Sequence, residues 1–372
     1  MSEVPNPPIN SEQQTQEQLV SKLEQQCNKL IDQGHKFHER EYSLNGESPK
    51  KYHNLEHVFS VENRAQSLVS ILGLSPEQRH VMLMAIAWHD SVLNFDAPDP
   101  DNIVGMVTRH GGAIDGDAPD GARGNEAKSF QLLKGHMVRL GFEENHIEMV
   151  KVIINATYSV GKFAEFSSYD YYEIATKQNP DLLNVIKFLN SNGISEGLHI
   201  SQPHFEKMLE QGTLTLPVLI TALADLGDVG TEESNVFFKI GDAEMRELYY
   251  NINNPYTLHR LVYGENMQDR KDRSQVANAF IKWLKTEVGF AVWQALRFEK
   301  TMCLLNEHHV ITPDQEKAVR EMFSHFTTNI RASYNRYTTL QEKYQDDCKQ
   351  LKERDAFLQL AKKLHYRIPD NN

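Results

Sequence analysis

The chain has little cysteine, no basic excess and no long apolar run, and each shortage removes a class of function. Only Cys27, Cys303 and Cys348 occur in 372 residues, far apart and in no metal-ligand spacing. A disulfide scaffold and a zinc ribbon are therefore excluded, and free thiols point to a reducing compartment. Lys and Arg number 39 against 51 Asp and Glu, a formal net charge of −12 with histidine neutral. A general nucleic-acid binder carries a basic face, so no nucleic-acid partner is expected. No stretch approaches the ~20 apolar residues of a membrane span, so no membrane partner is expected either. The opening MSEVPNPPINSEQQTQEQ is polar and lacks the apolar core of a secretory signal, which makes the cytoplasm the expected address. A Gly-rich phosphate loop, a nucleophile elbow, an internal repeat and sustained strand alternation are also missing.

What is present is helical periodicity. Residues 1–14 are rich in Pro, Asn, Ser and Gln and read as a disordered tail. Beyond them, Leu19, Leu23, Leu30 and Ile31 recur at helical spacing. SPEQRHVMLMAIAWHD opens with Ser75 as N-cap, Pro76 at the first helical position and Gln78 to close a capping box. Val81 to Trp88 is apolar all round, as in a buried helix. TLPVLITALADLGDVG reads the same way, with Gly227 and Gly230 ending it. The stretch 96–125 is dense in Asp, Gly and Pro and breaks the helical pattern. It is placed to act as a lid, with Arg109, His110 and Arg123 as its cations; its DGDAPDG has the wrong spacing for a calcium loop. The segment from 311 onward is long, charged and periodic. It reads as a helical extension, packed at least in its first half, and offers a surface for homo-oligomer formation. The expected fold is all-α: a helical bundle over 15–310 with the inserted 96–125 loop, followed by the 311–372 extension.

Sixteen histidines are spread along the chain, and two of them, His53 and His57, stand four apart in KYHNLEHVFSVENRA. On a helix that spacing puts both imidazoles on one face, about 5–6 Å apart at Cβ. Such a pair is common in ordinary helices, so its meaning depends on partners elsewhere. The apolar helix MLMAIAWHD ends in His89-Asp90, and VLITALAD ends in Asp225. A carboxylate at the end of a buried helix is costly unless it is paired or holds a cation. Neutral imidazoles and ionised carboxylates together suit Zn, Mn, Fe or Mg.

Tyr52-His53-Asn54-x-x-His57, His89-Asp90 and Ala224-Asp225-Leu226, in that order, resemble the HD-domain metal-dependent phosphohydrolase superfamily. They are similar to its cyclic-nucleotide phosphodiesterase branch and to related bacterial HD proteins. Asn125-Glu126 in GNEAKSF resembles an Asn-Glu-x-x-Ser element of the latter. The likeness covers about residues 35–300. It implies an HD-type bundle with His57, His89, Asp90 and Asp225 as metal ligands, and one or two divalent ions (Mn, Mg, Zn or Fe). It also implies His53 as the acid that protonates the leaving group, and Glu126 as a base near the metal or a ligand to a second ion. The residues after His89-Asp90 are Ser-Val-Leu-Asn rather than the Val-Asp-His of the cyclic-nucleotide enzymes. The nucleotide-binding glutamine of those enzymes has no identified counterpart here; Gln294, near Phe298, stands in a similar late position, but its setting is more that of an ordinary helix residue. The expected activity is hydrolysis of a small phosphoester, nucleotide or cyclic-nucleotide-like, by a metal-activated water. A di-iron oxygenase on the same scaffold and a non-catalytic nucleotide- or partner-binding domain are the alternatives.

Overall fold

The computed structural model describes residues 11–43, 50–95, 99, 101–107, 124–157, 160–165, 179–201, 215–225, 227–307 and 310–369. Helix follows helix, as the apolar periodicity requires. The first five are α1 (Ser11–Ser43), α2 (Leu55–Leu72), α3 (Pro76–Trp88), α4 (Asn125–Leu140) and α5 (Glu144–Asn155). A two-stranded antiparallel ribbon, β1 (Val160–Glu165) and β2 (Glu196–Ser201), brackets α6 (Pro180–Ser191). Its register runs from Val160 opposite Ser201 to Glu165 opposite Glu196. The sequence does not announce this ribbon, because VGKFAE and EGLHIS lack sustained alternation. After it come α7 (Leu216–Asp225), the short α8 (Asp228–Thr231), α9 (Ser234–Leu248), the short α10 (Tyr250–Asn253) and α11 (Pro255–Tyr263). The last four are α12 (Met267–Glu307), α13 (Pro313–Met322), α14 (Phe326–Gln350) and α15 (Glu353–Lys363).

Helix α1 starts at Ser11, so the four residues 11–14 lie in a helix rather than in the expected tail. The capping box on α3 forms as the sequence requires: Ser75 Oγ accepts from Gln78 N, and Gln78 Oε1 accepts from Ser75 N. All residues from Val81 to Trp88 are buried, and Trp88 Nε1 donates to Leu30 O at 2.8 Å, pinning α3 to α1.

Two apolar clusters organise the body. The first joins α1 to α7 with the later part of α12, α13 and the start of α14, and includes Trp88, Phe130, Phe298 and Phe326. The second gathers Met245, Leu258, Phe280, Phe357 and Tyr366. The extension after 311 packs against both, through Val319 and Ile330 in one cluster and Phe357 and Leu360 in the other. Helix α9 spans the two, with Phe237 in the first and Met245 in the second. Among the described residues no helix is long and apolar enough to cross a membrane.

Candidate metal centre

Three chain segments deliver the site. Asn54 caps α2: its Oδ1 accepts from the backbone N of Glu56 (2.8 Å) and His57 (3.2 Å). The helix therefore starts at Leu55, which sets His57 in its first turn and leaves His53 outside it. This corrects the expectation drawn from the spacing. His53 and His57 share no helix face, because an asparagine between them takes the capping position. Their rings still lie near each other, with centroids 5.8 Å apart. Helix α3 ends at Trp88, so His89 and Asp90 fall in the turn that follows. His89 Nδ1 donates to Ile86 O at 2.7 Å, which puts a proton on Nδ1 and leaves Nε2 as the nitrogen available to a ligand. Asp225 is the last residue of α7. Its position is held by Arg64, whose Nε donates to Ala224 O at 2.6 Å while the guanidinium pairs with Asp228.

The four side chains converge. His57, His89 and Asp225 each offer a ligand atom within 4.8 Å of the others. Asp90 flanks this triad, with Oδ2 3.1 Å from His89 Nε2 and 3.6 Å from His57 Nε2. Asp225 Oδ1 lies 3.4 Å from both imidazole nitrogens. All four residues are less than a tenth exposed. These are ion-pair distances, yet among the described residues neither buried Nε2 atom has a partner in good hydrogen-bond geometry. The nitrogens and oxygens thus approach one another without pointing at one another. That arrangement is expected when donors aim at a common centre. Metal–ligand bonds of about 2.0–2.2 Å put neighbouring ligand atoms about 3.0–3.5 Å apart in octahedral or tetrahedral sites, close to the spacings found here. The residues therefore fit a divalent cation. The electrostatics agree. Burial alone would lower the His89 imidazole, but Asp90 and Asp225 outweigh it and hold it well above its ordinary value. Burial would raise the Asp225 carboxyl, but His57 and His89 hold it well below the usual carboxylate range. Two carboxylates in a closed pocket call for positive charge, as a proton or as a metal.

His53 is held by a residue that no local sequence pattern marks. Glu247, at the end of α9, is almost fully buried; its Oε1 accepts from His53 Nδ1 at 2.5 Å, and its Oε2 accepts from the backbone N of Tyr52 (2.9 Å) and His53 (3.2 Å). Burial favours the protonated acid, but the His53 imidazole and these two N–H donors outweigh it and hold Glu247 below the usual range. It is an anion, and Nδ1 of His53 carries the shared proton.

The other expected residues are placed as follows. Glu126 is buried in the first turn of α4, outside the triad. Its neighbours in the Asn-Glu-x-x-Ser element hold the backbone that leaves His89-Asp90. Asn125 Oδ1 accepts from Asn94 N at 2.8 Å, and Ser129 Oγ accepts from Val92 N at 3.0 Å. Gln294 is buried beside Arg297 and Phe298 and does not line the cleft described next. Arg109, His110 and Arg123, and with them most of the 96–125 loop, lie outside the described residues.

A cleft of about 870 Å³ opens beside the centre, and His57 is the one member of the ligand set that lines it. Tyr52 lies between, its ring 4.6 Å from that of His57. One wall is the face of α9 carrying Val236, Lys239, Ile240, Ala243 and Arg246, and another is the C-terminal stretch 365–367. The α9 stripe has helical spacing and was legible in principle, but nothing marked it as a wall rather than a solvated face.

No family model matches the chain, and no curated protein or solved structure matches it.

Proposed function

We propose that this chain is a metal-dependent phosphohydrolase of the HD type, acting on a small phosphoester. The observation that carries the reading is the convergence of His57, His89, Asp90 and Asp225, with two buried Nε2 atoms that have no partner in good hydrogen-bond geometry among the described residues. Its setting, beside a cleft with cationic walls, supports an anionic substrate. A divalent cation held there would neutralise phosphoryl oxygens and acidify a water toward pH ~7.

The protein's own groups divide the remaining work. His57, His89, Asp90 and Asp225 would hold such a cation with two imidazole nitrogens and two carboxylate oxygens, the nitrogens being unprotonated when it is bound. The His89 Nδ1–H to Ile86 O bond fixes the tautomer that offers Nε2 inward. His53 is the general acid: Glu247 accepts from Nδ1–H and orients the ring, leaving Nε2 as the atom that gives a proton to the departing oxygen. A positioned acid of this kind contributes about 10²–10⁴ in rate. Asn125 and Ser129 keep the turn after His89-Asp90 in place, so both ligands stay aimed at one point.

The test is a phosphoester hydrolysis screen with Mn²⁺, Mg²⁺ or Co²⁺ added, run on the native chain and on His53→Ala. The expected result is turnover that falls about 10²–10⁴-fold in His53→Ala while the metal content stays the same. Metal bound with no turnover on any phosphoester, or full activity without His53, overturns the reading.

A further inference from the structure

Helix α7 is apolar from Val218 to Ala224 apart from Thr221, and it carries no basic residue in its last turn. The last carbonyls of a helix have no partner within it, and cations are favoured at that end. Here other helices supply them. From α2, Arg64 Nε donates to Ala224 O at 2.6 Å; from α12, Arg297 Nη2 donates to Ala222 O at 3.2 Å. Gly227 closes in from a third side. Its N–H reaches Ala224 O only at 3.4 Å, and a Cβ on it would stand 2.7 Å from Leu223 O. The residue delivered by this enclosed turn is Asp225, a member of the candidate metal set.

The two arginines are not in the same position. Arg64 has a second task, because its guanidinium pairs with Asp228. Arg297 forms no ion pair at contact distance among the described residues, and its Nη1 is buried without a hydrogen-bond partner there. Its surroundings are aromatic. The guanidinium lies 5.6 Å from the centre of the Trp293 ring, and Phe298, Phe323 and Phe326 line the same small recess. Burial lowers the guanidinium to about 10, and the charge of Asp225 opposes this. A methionine would fill such a place without desolvating a cation, and apolar residues often stabilise a fold where a buried charge stood. Neither packing nor a salt bridge accounts for an arginine here. What it holds is the last turn of the helix that ends in Asp225.

We propose that Arg297 is a positioning residue for the metal centre: through Ala222 O it fixes the last turn of α7, so that Asp225 meets His57 and His89 at one point. This role rests on reading those side chains as metal ligands. Groups that hold a ligand in place commonly govern metal affinity by about 10–100-fold.

The test is titration of the full chain with Mn²⁺ by calorimetry, after removal of bound metal, for the native protein, Arg297→Met and Arg297→Lys. A thermal melt of each metal-free protein is run beside it. Arg297→Met should melt at or above the native temperature and yet bind Mn²⁺ about tenfold or more weakly. Arg297→Lys, which keeps a donor and a charge, should recover part of the affinity. In a folded variant the affinity decides. Tighter Mn²⁺ binding in Arg297→Met would mean that the arginine acts only as a repelling charge, and it overturns the role. Loss of folding in Arg297→Met, or a lowered melt with native affinity, makes the residue merely structural and also overturns it. Native affinity at an unchanged melt overturns the positioning role and leaves the metal centre standing. No Mn²⁺ binding by the native chain overturns the metal centre itself, and the role of Arg297 with it.

Discussion

Glu287 is a buried acid whose charge is set against its surroundings. Burial pushes its carboxyl up to about 8, with Asp242 adding to the rise and Arg336, 3.2 Å from Oε2, opposing it. Its unfolded value is the ordinary 4.5. Between about pH 4.5 and 8 the folded chain keeps a proton that the unfolded chain has released. Stability from this group is fully present below that window and is lost as pH rises through it. Glu287→Gln keeps the size and removes the titration. Its melting temperature, relative to the native chain, should therefore rise from pH 6 to pH 9; a difference that does not vary with pH contradicts the assignment. Thiol reactivity is set in the same way. Burial pushes Cys27 up to about 12, so in the folded chain it should resist alkylation while the exposed Cys348 is labelled, as mass spectrometry of the digested protein would show.

Helix α1 crosses α3 at Gly34, and this contact needs a glycine. A Cβ there would stand 2.6 Å from Ala87 O and 2.9 Å from Trp88 Nε1. Alanine improves helix propensity by up to about 1 kcal/mol, but the obstructing atom is a helix carbonyl that cannot swing away. Overpacking of about 1–3 kcal/mol should win, and Gly34→Ala should lower the urea midpoint; an unchanged or higher midpoint would mean that the crossing can open. The elements themselves were largely legible. Ser75, Pro76 and Gln78 announced the start of α3, and the apolar run to Trp88 announced its burial. The face shared by His53 and His57 was misread because spacing alone does not reveal that Asn54 interrupts the helix. The β1–β2 ribbon was missed because its strands carry little alternation. Of the candidate site, His89, Asp90 and Asp225 were readable as helix-end residues of unusual cost, His57 by its spacing from His53, and all four through a family resemblance. Glu247 was not, because it stands 194 residues from His53 and belongs to no local pattern.

At the scale of the whole molecule, two apolar clusters joined by α9 place a closed set of acids and imidazoles beside an open cationic cleft. The extension after 311 belongs to this body, because Phe357 and Tyr366 are buried in the second cluster. A cation that binds the folded chain alone must stabilise it, by about 2.7 kcal/mol at a hundredfold excess over its dissociation constant. Chelation should therefore lower the melting temperature of the native chain and leave Asp225→Asn unmoved. The most direct measurement is elemental analysis of the purified full chain after equilibration with Mn²⁺, Fe²⁺ or Zn²⁺ and removal of free ion, with Asp225→Asn treated in parallel. One tightly held ion per chain, lost in the folded variant, is the predicted result; no retained metal, or equal metal in both proteins, would contradict the account.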